Sequence, residues 1–139
     1  MHRLTLAAIA VGLGLLFVSP DMAAAQSSAP PGGAYKAVST LVPLPDFIPG
    51  LGTLYVDPAT LPAGPFLAYD HQGKLVSSIY MIPLDDMTAK KNFTNLKVGH
   101  EGADHVDIMY NAGHPGVAMP HYHVIVWYIS PEAAAKLAK

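Results

Sequence analysis

Short strand-like segments separated by turn residues fill the sequence after residue 52. Segments rich in β-branched and aromatic residues, bounded by Gly, Pro, Asp or Asn, are typical of strands. Gly73 lies between two of these segments, and its access to positive φ favours a hairpin there. The predicted strands are TLYV (53–56), FLAYD (66–70), KLVSSIYMI (74–82), HVDIMYN (105–111) and HYHVIVWYIS (121–130).

Two short helices are predicted beside the strands. The segment DDMTAKKNFTNL (85–96) carries a weak helical pattern, and its first two aspartates are charges suited to a helix N-terminus. Ser130 and Pro131 are a suitable N-cap and first-turn residue for the alanine-rich segment that follows. This order of elements predicts an α+β fold, with one or two short helices beside a small, mainly antiparallel sheet or a partly closed barrel.

The first segment of the chain, residues 1–25, has the features of a signal peptide. Arg3 gives it a basic start, an apolar run follows, and Ala23-Ala24-Ala25 matches the small residues at a cleavage site. The apolar run is about fifteen residues long, whereas a membrane span needs about twenty. We therefore expect cleavage after Ala25, a periplasmic or secreted protein, and no membrane span in the mature chain.

Residues 26–52 are rich in proline and glycine and are predicted to form a flexible arm. Within this arm, residues 41–52 (LVPLPDFIPGLG) alternate prolines with large apolar side chains. Proline excludes this stretch from a central strand, so we expect it to lie along the domain or along a neighbouring subunit. Residues 53–139 are then predicted to form a single α+β domain.

The composition excludes several kinds of chemistry. There is no cysteine, so neither a disulfide nor a thiolate is available. Arg3 is the single arginine and the lysines form no basic stripe, so nucleic acid is not an expected partner. A small core without disulfides, together with 51% hydrophobic residues, predicts a homo-oligomer.

Histidines near the last two predicted strands are the candidate metal ligands. His121 and His123 alternate along a strand, so their imidazoles share one face and can reach one ion. His105 and Asp107 repeat this spacing on the preceding strand, and the register decides whether all four share a face. His114, in the connecting loop, is a further candidate, whereas His71 is predicted to be a solvated turn residue.

These residues leave three functions open. The first is an exported protein that binds a metal ion, copper or zinc, or a small ligand through the histidine cluster; the nearby Met109 and Met119 favour copper. The second is a small metal-assisted lyase, isomerase or hydrolase, with His105 or Asp107 as general base. The third is a structural, self-assembling periplasmic protein. A Ser/His/Asp hydrolase is not expected, because Ser77, Ser78 and Ser130 lie in no nucleophile-elbow context, and the catalytic residues stay open.

Two resemblances accompany this interpretation. The segments at 55–70, 79–84 and 119–130 resemble a family of small exported bacterial domains of unknown function that share a Pro-His-aromatic signature strand. Pro120, His121 and Tyr122 match that signature, while His123 stands where Asp is usual and Ile125 where His is usual. The resemblance implies export and an α+β fold. The His-x-His pair also resembles half of a cupin motif, although no carboxylate follows it on the strand.

Overall fold

The structure is a computed structural model that describes residues 26–100 and 102–139. The predicted signal peptide, residues 1–25, lies outside the described residues. Among the described residues, no helix combines the length and the apolar character that a membrane span requires.

The described chain forms one six-stranded sheet in which every neighbouring pair is antiparallel. The strand order is β1-β2-β3-β4-β6-β5, so β1 and β5 lie at the two edges and the sheet is open. All five predicted strands are confirmed, and one short strand precedes them. The strands are β1 (Lys36–Ala37), β2 (Thr53–Val56), β3 (Phe66–Tyr69), β4 (Leu75–Pro83), β5 (His105–Asn111) and β6 (His121–Trp127).

The helices are too short to form a layer against the sheet. Helix α1 is Leu84–Thr88 and helix α2 is Pro131–Ala134, which continues as a 3-10 turn over Ala135–Ala138. The structure therefore confirms a mainly antiparallel sheet with short helices, and it is a mostly-sheet fold. The α+β description is not confirmed.

The two helix predictions had different outcomes. The pattern over residues 85–96 gives only α1, and Lys90, which follows it, has a positive φ of 56°. A residue in that conformation ends a right-handed helix. The cap at Ser130 is confirmed, because the backbone N–H of Ala133 donates to Ser130 Oγ at 3.3 Å. Pro131 occupies the first turn, where its missing N–H costs no hydrogen bond.

Both faces of the sheet are covered over β3 and β4, which is why these strands are buried almost throughout. One face carries the main core, and apolar side chains of residues 42–51 pack against it. The other face carries a smaller cluster of Leu67, Tyr69 and Leu75. The core residues of the first face include Val56, Phe66, Ile79, Met81, Ile125 and Trp127.

Residues 26–52 pack on the sheet along much of their length. Strand β1 pairs with β2, and Val38 is buried in the main core. The backbone N–H of Ala29 donates to the carbonyl of Gly73 at 2.8 Å, and Tyr69 donates from its hydroxyl to the carbonyl of Gln26 at 2.7 Å. Residues 41–52 lie along the domain, as one of the two expectations for them stated. The boundary at residue 52 therefore does not separate two packing units.

Candidate metal centre

Three histidines meet at one end of β6. His114, His121 and His123 each offer a ligand atom, and these atoms lie within 4.8 Å of one another. The Nε2 atoms of His121 and His123 are 3.0 Å apart. His121 is fully buried, while His114 and His123 are partly exposed. Among the described residues, this is the one group of three or more potential ligands that are His, Cys, Asp or Glu.

Strand β6 holds two of the three rings because it is paired on both sides. It runs antiparallel between β4 and β5, so its backbone is fixed by two ladders. Alternate residues of a strand point to the same face. His121 and His123 therefore project together, and their ring centroids are 4.8 Å apart. His123 lies opposite Met81 on β4 and opposite Met109 on β5.

The third ring comes from a tight turn in the β5–β6 loop. His114 and Val117 exchange two backbone hydrogen bonds, of 2.9 and 3.0 Å, across Pro115 and Gly116. Proline followed by a glycine with φ of 92° is the pattern of a type II turn. This turn places the His114 ring 4.9 Å from the His121 ring and 5.6 Å from the His123 ring, measured between centroids.

The arm supports this turn from the other side. A Cβ atom at Gly116 would lie 2.8 Å from Cγ1 of Val42, closer than such contacts occur in proteins. Glycine is therefore required at this position for two reasons, its positive φ and the close approach of Val42. At the start of the loop, the backbone N–H of Gly113 donates to Asn111 Oδ1 at 2.8 Å, which fixes this part of the backbone.

Backbone carbonyls orient two of the rings. His121 lies 2.7 Å from the Met119 carbonyl through Nδ1, and His114 lies 2.9 Å from the Pro115 carbonyl through Nδ1. A carbonyl can only accept, so each neutral ring carries its proton on Nδ1 and presents the Nε2 lone pair. Metal-bound histidines commonly donate their second N–H to a carbonyl in this way. Two nitrogens on one zinc ion lie about 3.3 Å apart, which is close to the observed Nε2 separation.

His123 is held in its neutral form. Burial lowers the pKa of His123 to about 4, and the neighbouring rings of His121 and His114 act in the same direction. A histidine must lose its proton before it can bind a metal ion. At neutral pH, His123 is therefore available as a ligand without a proton having to be displaced from a cation.

The structure does not bring His105 and Asp107 to this cluster. The β5–β6 register pairs His105 with Trp127 and Asn111 with His121, so all four predicted strand ligands share one face. However, His105 and Asp107 lie further along the strands than the cluster, about 13 Å and 7 Å beyond the level of His123 at 3.3 Å per residue. The sequence could not settle this register, because the long loop between the strands does not fix it.

These two residues contact Trp127 instead. The indole Nε1–H of Trp127 donates to Asp107 Oδ2 at 2.8 Å, and the His105 ring stacks on the indole with centroids 5.9 Å apart. His105 Nδ1 also lies 2.9 Å from Asp104 Oδ1. Both side chains therefore stabilise the tryptophan that closes the core at this end of β6.

His71 is also away from the cluster. It is exposed in its turn, as predicted, and its ring also stacks on Phe47 of the arm with centroids 3.7 Å apart. It therefore has a structural contact but no place among the candidate ligands.

A cavity of about 230 Å³ adjoins the histidines. Its wall is apolar apart from Asn111, His114 and His123, and most of its residues come from the arm and from the sheet face beneath it. The sequence gives little sign of this cavity, because its two walls come from distant segments. The apolar side chains that alternate with prolines over residues 41–52 were the available signal.

Comparisons with known proteins give a match among solved structures. No protein-family model matches the chain, and no curated protein matches it. Among solved structures, the crystal structure of hypothetical protein TTHB210 from Thermus thermophilus is similar, with a TM-score of 0.62 and 44% sequence identity. The match covers 68% of this chain and 93% of that one. The chain therefore belongs to the same protein family as TTHB210.

Proposed function

We propose that this is an exported metal-binding protein in which His114, His121 and His123 hold one first-row transition-metal ion. The observation that carries the proposal is the convergence of three imidazoles, with ligand atoms within 4.8 Å, on backbone that is fixed before any ion binds. Two ladders fix β6, and a hydrogen-bonded turn fixes His114. Such pre-arrangement lowers the cost of bringing the ligands together.

The ligand set favours copper or zinc. Neutral imidazole is a good ligand for both metals, and the set contains no carboxylate of the kind that selects magnesium or calcium. Met81 and Met109 flank His123 on the neighbouring strands, on the same face of the sheet. Thioether sulfur is a soft ligand that stabilises reduced copper, so their position supports copper as the metal.

A metal-assisted enzyme is the second candidate function. Three protein ligands around zinc leave a fourth position for water or substrate, as in catalytic zinc sites. The cavity beside His114 and His123 is the observation that favours this candidate. His105 and Asp107 are poor candidates for its general base, because their contacts are with Trp127 at the other end of β6.

Export is part of the proposal. The basic start, the short apolar run and Ala23-Ala24-Ala25 support cleavage after Ala25. Mass spectrometry of protein from the periplasm or the medium should then give a chain that begins at Gln26. An intact Met1 on membrane-bound protein would contradict this part of the proposal.

Metal binding is tested on mature protein purified without a histidine tag. We expect elemental analysis and zinc calorimetry to give one ion per chain, and zinc at a hundred times its Kd to raise Tm by about 10 °C. The double variant His121→Ala/His123→Ala should lose both effects. His71→Ala is the matched control, because it removes an imidazole far from the cluster. Equal zinc responses in wild type and the double variant would overturn the proposal.

A further inference from the structure

The cavity beside the histidines has an unusual combination of walls. Among the described residues, its lining contains no lysine, aspartate or glutamate, and its imidazoles lie at one side. Its walls combine aliphatic side chains of the arm, such as Leu44 and Leu51, with those of the sheet, such as Leu54 and Ile79. The cavity can therefore contact an apolar molecule over most of its surface and a polar group only near the histidines.

The cavity opens to solvent. Two of its lining residues, Leu41 and Leu61, are 43% and 47% exposed. Their exposure marks the side on which the apolar space meets solvent. A small molecule can therefore enter along these two leucines without unfolding the arm.

The volume limits the size of that molecule. An engineered apolar cavity of about 150 Å³ in another protein binds benzene, while sites for drug-sized ligands have about 300 Å³ or more. A cavity of about 230 Å³ lies between these limits. It therefore suits an apolar body of about six to eight carbon atoms.

The charge of a bound ion determines the head group. His114 and His123 are common to the cavity wall and to the three-histidine cluster, so an ion held by the cluster borders the cavity. Three neutral imidazoles leave the full double charge of a divalent ion uncompensated, and none of the described residues that line the cavity is acidic. In a low-dielectric surrounding, an anionic ligand on the open coordination position is strongly favoured.

We propose that the cavity binds a small aliphatic or aromatic monocarboxylate, whose carboxylate coordinates the metal ion and whose apolar body fills the space between the arm and the sheet. This inference rests on the proposed metal site. It goes beyond metal binding because it assigns the arm, and not only the histidines, to ligand recognition. A dicarboxylate is excluded as a good ligand, because its second charge would lie among aliphatic side chains.

The test uses zinc-loaded, untagged mature protein and a series of acetate, butanoate and hexanoate, with affinities measured by calorimetry. We expect affinity to rise by about fourfold per added methylene group, or about two hundredfold from acetate to hexanoate. Hexan-1-ol, which has the same chain without the charge, should bind much more weakly. Adipate, which adds a second carboxylate to the same length of chain, should bind no better than acetate.

Two comparisons separate failure of the cavity from failure of the metal site. Zinc-free protein should bind hexanoate at least tenfold more weakly, and Leu54→Phe, which enlarges a lining side chain, should weaken hexanoate while zinc affinity stays the same. Suppose that zinc binds, but acetate and hexanoate have equal affinities or the affinity for hexanoate is the same with and without zinc. The cavity proposal is then wrong, and the metal-site proposal is unaffected. If zinc itself does not bind, both proposals fall.

Discussion

His121 and His123 share a hydrogen bond through their Nε2 atoms, which lie 3.0 Å apart. Because the Nδ1 proton of His121 is directed at the Met119 carbonyl, His121 Nε2 accepts this bond and His123 Nε2–H donates it. The proton that joins the two rings therefore occupies the place that a metal ion would take. Metal binding through both Nε2 atoms would therefore require the neutral His123 ring to carry its proton on Nδ1 instead.

Stability of the metal-free protein should fall as the pH is lowered through the range of histidine. The pKa of His123 is lowered from its ordinary value of 6.5 to about 4 by burial and by its histidine neighbours. Between these pH values the unfolded chain takes up a proton that the folded chain does not, so the free energy of unfolding decreases as pH falls. Urea denaturation at pH 7.5 and pH 4.5 measures this loss.

His123→Gln serves as the comparison, because it removes the titrating ring and keeps a polar side chain. Its stability should change less between the two pH values than that of wild type. The difference should stay below the ~3 kcal/mol that such a shift gives a fully buried group, because solvent screens this partly exposed ring. Parallel pH profiles for the two proteins would contradict the prediction.

Gly116→Ala should weaken zinc binding as well as the fold. Its Cβ would meet Val42 at 2.8 Å and would also demand a left-handed conformation at φ of 92°, so the turn that presents His114 must shift. Gly33→Ala is a matched control, since Gly33 has φ of 61° but a Cβ atom there would meet no heavy atom within 4 Å. We expect each variant to lose about 1–2 kcal/mol from backbone strain.

Gly116→Ala should lose more stability than this strain alone explains, whereas Gly33→Ala should not. Gly116→Ala should also be the variant that reduces zinc affinity, by about tenfold. Calorimetry and urea denaturation on the two variants measure both effects. A Gly33→Ala variant that lost zinc affinity equally would show that the effect is general and that the turn does not position His114.

Asp107→Ala should destabilise the fold and leave zinc binding unchanged. Trp127 is 4% exposed, and its indole N–H donates to Asp107 Oδ2 at 2.8 Å. Removal of the acceptor leaves a largely buried donor without its partner, at a cost of about 1–3 kcal/mol. Asp107→Asn keeps an oxygen acceptor and should lose less. A tenfold loss of zinc affinity in Asp107→Ala would contradict this prediction and indicate that the carboxylate is a zinc ligand.

Met109→Leu should weaken copper binding without weakening zinc binding. Met109 lies opposite His123 and is 53% exposed, so leucine can replace it with little effect on packing. If its thioether joins the histidines, the variant should bind Cu(I) about tenfold more weakly in a chelator competition and bind Zn(II) as wild type does. Met87→Leu is the control, because Met87 is similarly exposed, at 51%, but lies in α1. Equal Cu(I) affinity in all three proteins would exclude Met109 as a ligand.

Mature protein should self-associate through strand β5. This strand lies at an edge of the sheet, and Val106, Ile108 and Tyr110 are 54%, 67% and 57% exposed on one face of it. An edge strand with exposed apolar side chains is a site for pairing with another chain. We expect light scattering to report a mass above that of the monomer, and Ile108→Lys to reduce it. A monomer in both proteins would contradict the prediction.

Much of the sheet could be predicted because its signals are local. Gly73 has φ of 75° in the turn where the hairpin was expected, and the Ser130–Pro131 pair caps α2 as its sequence indicates. The His121–His123 spacing likewise placed two ligands on one face of β6. In each case the physical cause lies within a few neighbouring residues.

Features that depend on distant pairings could not be predicted. The register of β5 against β6 determines that His105 and Asp107 lie beside Trp127, and the loop between these strands is too long to fix it. The packing of Val42 against Gly116 also joins segments that have no common local signal. The cavity could not be predicted for the same reason, because its walls come from distant segments.

The contact between Val42 and Gly116 has a consequence for the order in which the protein matures. The two residues are far apart in the sequence, so the chain must close a long loop before they meet. During synthesis the arm leaves the ribosome well before β6 exists, and its apolar side chains have no complete sheet face to cover until then. The histidine cluster is therefore completed by the last strand of the sheet, and a metal ion would contact all three histidines only after β6 has joined it.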